Sequence, residues 1–524
     1  MQLKKVPLAK THAFTPFFLD YVDQKTSLKP FFGRFPTIDN FKPQIEEKQK
    51  SFKQESRDVL VRVLKSQYAH LKISDAVSSS IDSLKDQNTF TITTGHQLNI
   101  FTGPLYFIYK IVTIINACKQ LKVAYPAYNF IPVYWMASED HDYEEIKYFR
   151  LYGKKYTWET DQKGAVGRFH TNGFDKLLNE LPGDVTLFRE AYLKNSKLSD
   201  AVRSYVNALF AGEGLVVIDA DNKELKSLFK KVIYDDVINC ATLPLVDEDN
   251  KKLEALGYKT QIFCRDINFF YLDGQIRERI EKENETYKVL GTTLRFSAEE
   301  MKKLVEAHPE KFSPNVILRP LYQEVILPNI AYTGGPAEVI YWLQLKSVFD
   351  KHNTPFPILL PRNFAMVIDH PVERKFEKLK FSHEELFEDK NFLFNDWTLK
   401  HANHKLGVGD ERTVVLETFD KLKARASAID PTLGPFLGAE GKRALNSLEK
   451  IERKMLRAEK RLQADKLRQI EEVKDALFPN GSLQERTDNF LNFYQRDNAF
   501  ISKLLMYLDP FDLRFHILTY SGHE

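Results

Sequence analysis

Three short polar clusters hold the residue types that catalysis and ligand binding require. The first is Thr93-Thr94-Gly95-His96-Gln97, followed by Thr102-Gly103-Pro104. Glycine lets a ligand approach the backbone, proline suits the first position of a helix, and a helix start presents free N–H groups to an anion. Gly95, His96, Gln97, Thr102 and Gly103 are therefore expected to cradle phosphate. The competing reading is a capped turn in which His96 only hydrogen-bonds the backbone. The second cluster is Ser138-Glu139-Asp140-His141-Asp142. One of Asp140, His141 or Asp142 could act as a general base, and Glu139 or its neighbours could hold Mg²⁺ or bind an amine or sugar hydroxyl. The local alternative has Ser138 or Asp140 capping a helix over Tyr143–Tyr148. The third cluster joins Arg319, Gln323 and Glu324 to Thr333-Gly334-Gly335-Pro336-Ala337-Glu338, with Arg362 further on. Gly334-Gly335-Pro336 reads as a second anion-ready helix start. Arg319 and Arg362 either fork onto a carboxylate or phosphate, or pair with Glu324 or Glu338.

The string Thr93-x-Gly95-His96 also has the T-x-G-H form of the nucleotidyltransferase motif, whose histidine meets the phosphates of ATP. No G-x-x-x-x-G-K, G-x-S-x-G or G-x-G-x-x-G occurs. Cys118, Cys240 and Cys264 lie outside the clusters, so no cysteine nucleophile is expected, and no H-x-x-x-H or C-x-x-C spacing points to zinc.

The elements that must position these clusters follow from apolar patterning. Thr89–Thr94 is short and β-branched, Pro104–Leu121 repeats apolar residues at Leu105, Ile108, Val112 and Ile115, and Phe130–Met136 is a second apolar run. Strand, crossover helix and strand make a βαβ unit with a parallel sheet. Further strands are expected at Leu215–Ile218, Val316–Leu318, Ile330–Thr333 and Ile358–Leu360, with a helix at Ala337–Phe349. The fold class is thus α/β, a doubly wound parallel sheet over residues 1–380, interrupted by insertions at about 151–212 and 241–312. In such a sheet ligands bind beyond the carboxyl ends of the strands, where all three clusters lie. Residues 381–524 read as helical. Leu448, Ile451, Met455, Ala458 and Leu462 step as a heptad seam and continue through a stutter to Leu477, giving one long coiled-coil helix over about 440–478. Its partner, within the chain or across a dimer, is left open.

Composition narrows the class. The chain has 524 residues with 75 Lys+Arg against 72 Asp+Glu, a net charge of +3, which argues against a general nucleic-acid or membrane-surface binder. With 39 Phe and 23 Tyr it has too many apolar rings for a disordered chain. Three scattered cysteines fit a reducing cytoplasm, the start MQLKKVPLAK has no apolar stretch of a secretory leader, and no run is long enough to span a membrane.

The strings TTGHQLNIFTGPLYFIYK, PVYWMASEDHDYEEI and SPNVILRPLYQEVILPNIAYTGGPAEVIYWLQLK, with LFPNGSLQERTDNFLNF near the end, resemble the cysteine-adding enzyme family of bacillithiol biosynthesis. The resemblance runs from about residue 60 onward. It implies a Rossmann-like core akin to nucleotidyltransferases and class I synthetases, connective-peptide insertions and a C-terminal coiled coil. It implies amide-bond formation between cysteine and glucosaminyl-malate. Joining a carboxylate to an amine is uphill in water, so an adenine nucleotide, most simply ATP, is expected as the activating co-substrate, and a homodimer is expected, with the coiled coil as a candidate contact. In that family the position of His96 commonly carries Gln, a departure that bears on any catalytic histidine here. Two other readings remain: a nucleotidyltransferase of another small substrate, and a non-enzymatic assembly protein built on the coiled coil.

Overall fold

The computed structural model describes residues 1–520. β-Branched and aromatic residues build five strands, β1 (Thr89–His96), β2 (Asn129–Met136), β3 (Val216–Asp219), β4 (Asn329–Gly334) and β5 (Ile358–Pro361). All neighbours run parallel, in the order β5-β4-β1-β2-β3. The chain moves outward from β1 through β2 to β3, then returns to the other side of β1 for β4 and β5. The Rossmann-like, doubly wound arrangement read from the sequence is therefore present. Its reversal point, between β1 and β4, is where such sheets open a crevice. Every residue of β1 is buried, as expected for a parallel strand covered on both faces.

The crossover helix α1 (Tyr106–Ala124) packs on β1 and β2, and the helix Phe500–Tyr507 packs against it from the C-terminal part of the chain. It starts after Pro104 because Thr102 and Gly103 adopt left-handed backbone angles, φ 70° and 62°. A Cβ on Gly103 would lie 2.5 Å from the Asn99 side chain, so only glycine fits there.

Two expected elements differ. Val316–Leu318 is a turn, not a strand, and leads into helix α2 (Arg319–Ile326). The Asn315 side chain accepts the Ile317 N–H (2.9 Å) and Pro320 occupies the first turn of the helix, so the chain is committed to helix before it can extend. Arg319 therefore opens a helix and does not follow a strand. The helix expected over Ala337–Phe349 divides into α3 (Pro336–Trp342) and Lys346–Lys351, with the buried Gln344 at the break accepting the Gln261 N–H (2.9 Å).

The stretch after β2 holds a hairpin, Tyr148–Leu151 with Lys154–Thr157, and the helices Phe174–Glu180, Thr186–Lys194 and Leu198–Phe210. The second insertion folds around a hairpin at Asp273-Gly274 into a five-stranded antiparallel sheet, Arg295–Ser297, Thr286–Val289, Ile276–Glu283, Phe269–Asp273 and Phe312–Pro314.

The heptad helix packs back on the chain as one arm of a helical hairpin, yet Ile451 of its seam stays 49% exposed. Helix α4 (Gly409–Ile429) turns back into α5 (Leu433–Leu462), and Arg412 meets Glu449 while Gly441 abuts Phe419, the register of an antiparallel hairpin. The long helix is interrupted at Gln463, and α6 (Ala464–Leu477) follows. The apolar stripe becomes buried only after that break. Ile470, Val473 and Leu477 are buried where α6 packs on the helices His370–Leu379 and Lys390–Lys400, whereas Leu462 is 75% exposed.

A second, three-stranded sheet joins distant segments. Phe515–Thr519 lies between Gln2–Val6 and Phe364–Ile368. The free edge of Phe364–Ile368 is covered by side chains: Gln484 accepts the Val367 N–H (2.8 Å) and donates to its carbonyl (2.9 Å), and Glu485 accepts the Ala365 N–H (3.2 Å). Glu485 also takes Arg362 in a buried two-pronged pair at 2.9 and 2.5 Å. Replacing Glu485 by Ala strands the Arg362 charge in a dry site. The expected result is a loss of about 3–5 kcal/mol in urea unfolding, and a loss under 1 kcal/mol would show the pair to be dispensable.

Candidate active site

A cavity of about 830 Å³ opens beyond the carboxyl ends of β1, β2 and β4. That volume suits a small-molecule pair. The inserted antiparallel sheet overhangs it through Phe270, Arg277 and Arg279, and Arg486 reaches it from the C-terminal part of the chain.

Gly95 and His96 end β1 inside the sheet. A Cβ at Gly95 would stand 3.3 Å from the Tyr332 hydroxyl and 3.4 Å from Arg319 Nη1, so glycine leaves room for the arginine. His96 packs against Tyr106 and Phe107, with ring centroids 5.4 and 5.2 Å away, and its Nε2 has no hydrogen-bond partner. Burial, reinforced by Lys110 and Arg362, pushes its pKa well below the usual imidazole value. His96 is a neutral group on the cavity wall and brings no positive charge to a phosphate.

The Thr102–Gly103 turn does not line the cavity. Asn489 donates to the carbonyls of Phe101 (2.7 Å) and Gly103 (2.6 Å), and the Leu105 N–H donates to Asp488 O (2.7 Å). The helix start expected to meet phosphate is covered by the chain itself. The second start is occupied too, because the Glu338 carboxylate accepts the Gly335 N–H (2.7 Å), the Tyr332 hydroxyl (2.9 Å) and Lys110 (2.7 Å). Gly334 lies beneath, where a Cβ would meet Glu338 Cβ at 2.8 Å.

The cluster after β2 divides by role. The Asp140 carboxylate accepts Gln97 (3.0 Å) and the His141 and Asp142 backbone N–H groups (2.7 and 3.3 Å), which fixes the turn. The helix cap is Asp142, which accepts the Glu145 N–H (3.3 Å), and not Ser138 or Asp140. Asp142 is outside the cavity lining, which removes it from direct contact with a ligand. The Arg277 guanidinium donates to His141 Nδ1, and because arginine only donates, that nitrogen is unprotonated and Nε2 carries the hydrogen. Burial and the Arg277 charge lower the His141 pKa. Glu139 is buried on the cavity wall and pairs with Lys226. Burial raises its pKa to about 7, against the opposing pull of Lys226.

Neither arginine pairs as expected with Glu324 or Glu338. Glu324 takes the buried Lys48 (3.3 Å), and Arg362 takes Glu485. Gln323 is fully buried, donating to Glu324 (2.9 Å) and accepting from Arg319 Nη1 (3.3 Å), so it supports the arginine from behind. The Arg319 guanidinium sits among the rings of Trp135, Tyr332 and Trp342, 5.8, 5.4 and 6.0 Å from their centroids. Its Nη2 has no hydrogen-bond partner and it forms no ion pair among the described residues. Aromatic faces steady the cation and leave its hydrogen-bonding edge for an anion.

Lys110, Lys226, Arg277 and Glu485 are among the site residues that the sequence reading missed. Lys110 carried a signal, as the one charge within Leu105–Ala117, whereas the others reach the site only through tertiary packing. Among the described residues no group of three or more His, Cys, Asp or Glu side chains could hold a metal ion, and no helix is long and apolar enough to cross a membrane.

Comparison with known proteins agrees along the whole chain. Residues 1–363 match the family model "Bacillithiol biosynthesis BshC, N-terminal Rossmann-like domain", and residues 365–520 match its C-terminal coiled-coil domain. Relatives named "Putative cysteine ligase BshC" include one from Flavobacterium psychrophilum, 43% identical over 98% of each chain. Others come from Flavobacterium johnsoniae (41% identical, 97% of each chain) and Cytophaga hutchinsonii (40%, 99% of each). Two domain models that meet at the edge of the second sheet, and full-length relatives at this identity, establish that the chain belongs to the BshC family of bacillithiol biosynthesis.

Proposed function

We propose that the chain is a ligase that joins the carboxyl group of cysteine to the amine of glucosaminyl-malate, giving bacillithiol. The observation that carries this reading is Arg319, a cavity-wall guanidinium caged by aromatic rings and lacking a carboxylate of its own. The substrates are rich in the missing partner, since cysteine has one carboxylate and the malate unit two. Arg265, Arg277, Arg279 and Arg486 around the cavity supply further positive charge.

The overall change, R–COO⁻ + R′–NH₃⁺ → R–CO–NH–R′ + H₂O, is uphill in water, so the carboxyl needs an activating co-substrate of the adenine-nucleotide class. The first helix start lies outside the cavity and the second carries the Glu338 carboxylate on its Gly335 N–H, so the rim arginines are the groups that fit its phosphates, with Mg²⁺ accompanying them. A bound nucleotide would supply the anhydride whose cleavage makes the acyl group reactive. The chain's own contribution is separate. Arg319 orients a carboxylate, and Glu139, with a pKa near neutrality, accepts a proton from the ammonium so that its lone pair is free to attack. The overhanging sheet limits water in the cavity. Cysteine, the nucleotide and the sugar place the work in the cytoplasm, and the uncovered Val414, Phe436 and Ile451 of the helical hairpin favour a homodimer.

Incubation with cysteine, glucosaminyl-malate and Mg²⁺, with and without ATP, should yield bacillithiol by mass spectrometry only with the nucleotide. No product in either mixture would overturn the ligase reading, and pyrophosphate release without cysteine would favour a nucleotidyltransferase of another substrate. Arg319→Ala should raise KM for a carboxylate substrate about 10–100-fold, the worth of a charge-assisted hydrogen bond. Glu139→Gln should lower kcat about 10²–10⁴-fold. A base works ionised, so the wild-type rate should climb as pH rises through about 7, an acid limb that the Gln variant lacks.

A further inference from the structure

Lys226 contributes to the cavity without touching its contents. It lies on the short helix Lys223–Leu228, after β3, and its side chain is 1% exposed. The ammonium has three N–H donors and three neighbours: the Phe312 carbonyl at 2.9 Å, the Glu310 carbonyl at 3.4 Å, and the Glu139 carboxylate. Two of these belong to the segment that enters the inserted sheet at Phe312–Pro314, and the third ends the core strand β2. The two carbonyls hold the ammonium on one side, and its ion-pair contact is with Glu139 Oε1 and not Oε2.

We propose that Lys226 is a positioning residue for Glu139, holding one carboxylate oxygen so that the other faces the amine, and tying this geometry to the closure of the inserted sheet over the cavity. This rests on the reading of Glu139 as proton acceptor. The charged and titratable groups facing Glu139 are Lys226, Arg277 from the inserted sheet, Asp221 after β3 with its partner Arg168 (2.7 Å), and Tyr322 of α2. Lys226 leads those that favour the ionised carboxylate, ahead of Arg277, while Asp221 opposes it. Removing the lysine leaves burial and Asp221 to dominate, and a larger share of Glu139 is then protonated at neutral pH.

The test is the pH profile of bacillithiol formation by the full chain. Lys226→Met should move the acid limb upward by about one to three pH units, the usual effect of an opposite charge at contact distance, and lower kcat at pH 7 at least about fivefold. KM for glucosaminyl-malate should change less than about threefold, because the lysine does not meet substrate. Lys226→Gln, which keeps an N–H for the two carbonyls but drops the charge, should shift the limb in the same direction and serves if the Met variant fails to fold. Lys226→Arg should return the limb toward wild type. A folded Met or Gln variant whose rate falls with the limb unmoved would overturn the proposal and make Lys226 a packing residue only. A Glu139→Gln enzyme that keeps the wild-type limb would instead overturn the proton-acceptor reading, so the two failures are distinguishable.

Discussion

The buried pair between Arg362 and Glu485 is the interaction on which the rest of the structure depends. Arg362 follows β5 and lines the cavity, and Glu485 arrives from a segment more than a hundred residues later. Desolvating two charges is costly, so the pair persists only because its geometry is bidentate and further N–H groups share the load. The Ala365 N–H completes Glu485, and Gln484 beside it covers the strand edge. One short segment thereby seals a sheet edge, neutralises a cavity arginine and brings Arg486 to the rim. The helical arm and the active cavity are not independent modules joined by a linker, because the segment after the arm completes the wall.

A second constraint is that the chain spends its own carboxylates on most of its buried cations. Lys110 goes to Glu338, Lys48 to Glu324, Lys226 to Glu139 and Arg362 to Glu485. One of these carboxylates, Glu338, also fills the helix start after β4 where an incoming anion would otherwise bind. Arg319, on the cavity wall, is held instead by aromatic faces and by Gln323. An anion that enters the cavity meets a cation already desolvated and already oriented, so little reorganisation is needed on binding.

The core strands were legible because buried parallel strands are continuous apolar runs, and β1, β2, β4 and β5 follow theirs within two residues. Val316–Leu318 misled because three apolar residues before a charged one look alike in a strand end and a helix start. Asn315 and Pro320 decide between the two, through a side-chain bond and a ring that a hydropathy pattern does not weigh. The heptad announced a coiled coil but not its partner, since an apolar stripe records a need for burial and not what meets it. Within the site, Gly95 and Glu139 were visible as permissive or polar residues near strand ends, and Arg319 as a charge after an apolar run. The engagement of both helix starts was not, because the groups that fill them, Asp488 and Asn489 at one and Glu338 at the other, act through contacts that spacing does not encode.

The three-stranded sheet has a consequence for the order of events during synthesis. Residues 2–6 leave the ribosome about five hundred residues before their hydrogen-bonding partner, the strand 515–519, which also supplies the neighbour of Phe364–Ile368. Such pairings close only after a very long loop has been made, which slows the final step of folding and leaves earlier intermediates with an open edge. Until then the Arg362 side chain also lacks Glu485. A nascent or interrupted chain would hold the parallel core without a finished cavity, so the enzyme's competence is acquired late and all at once.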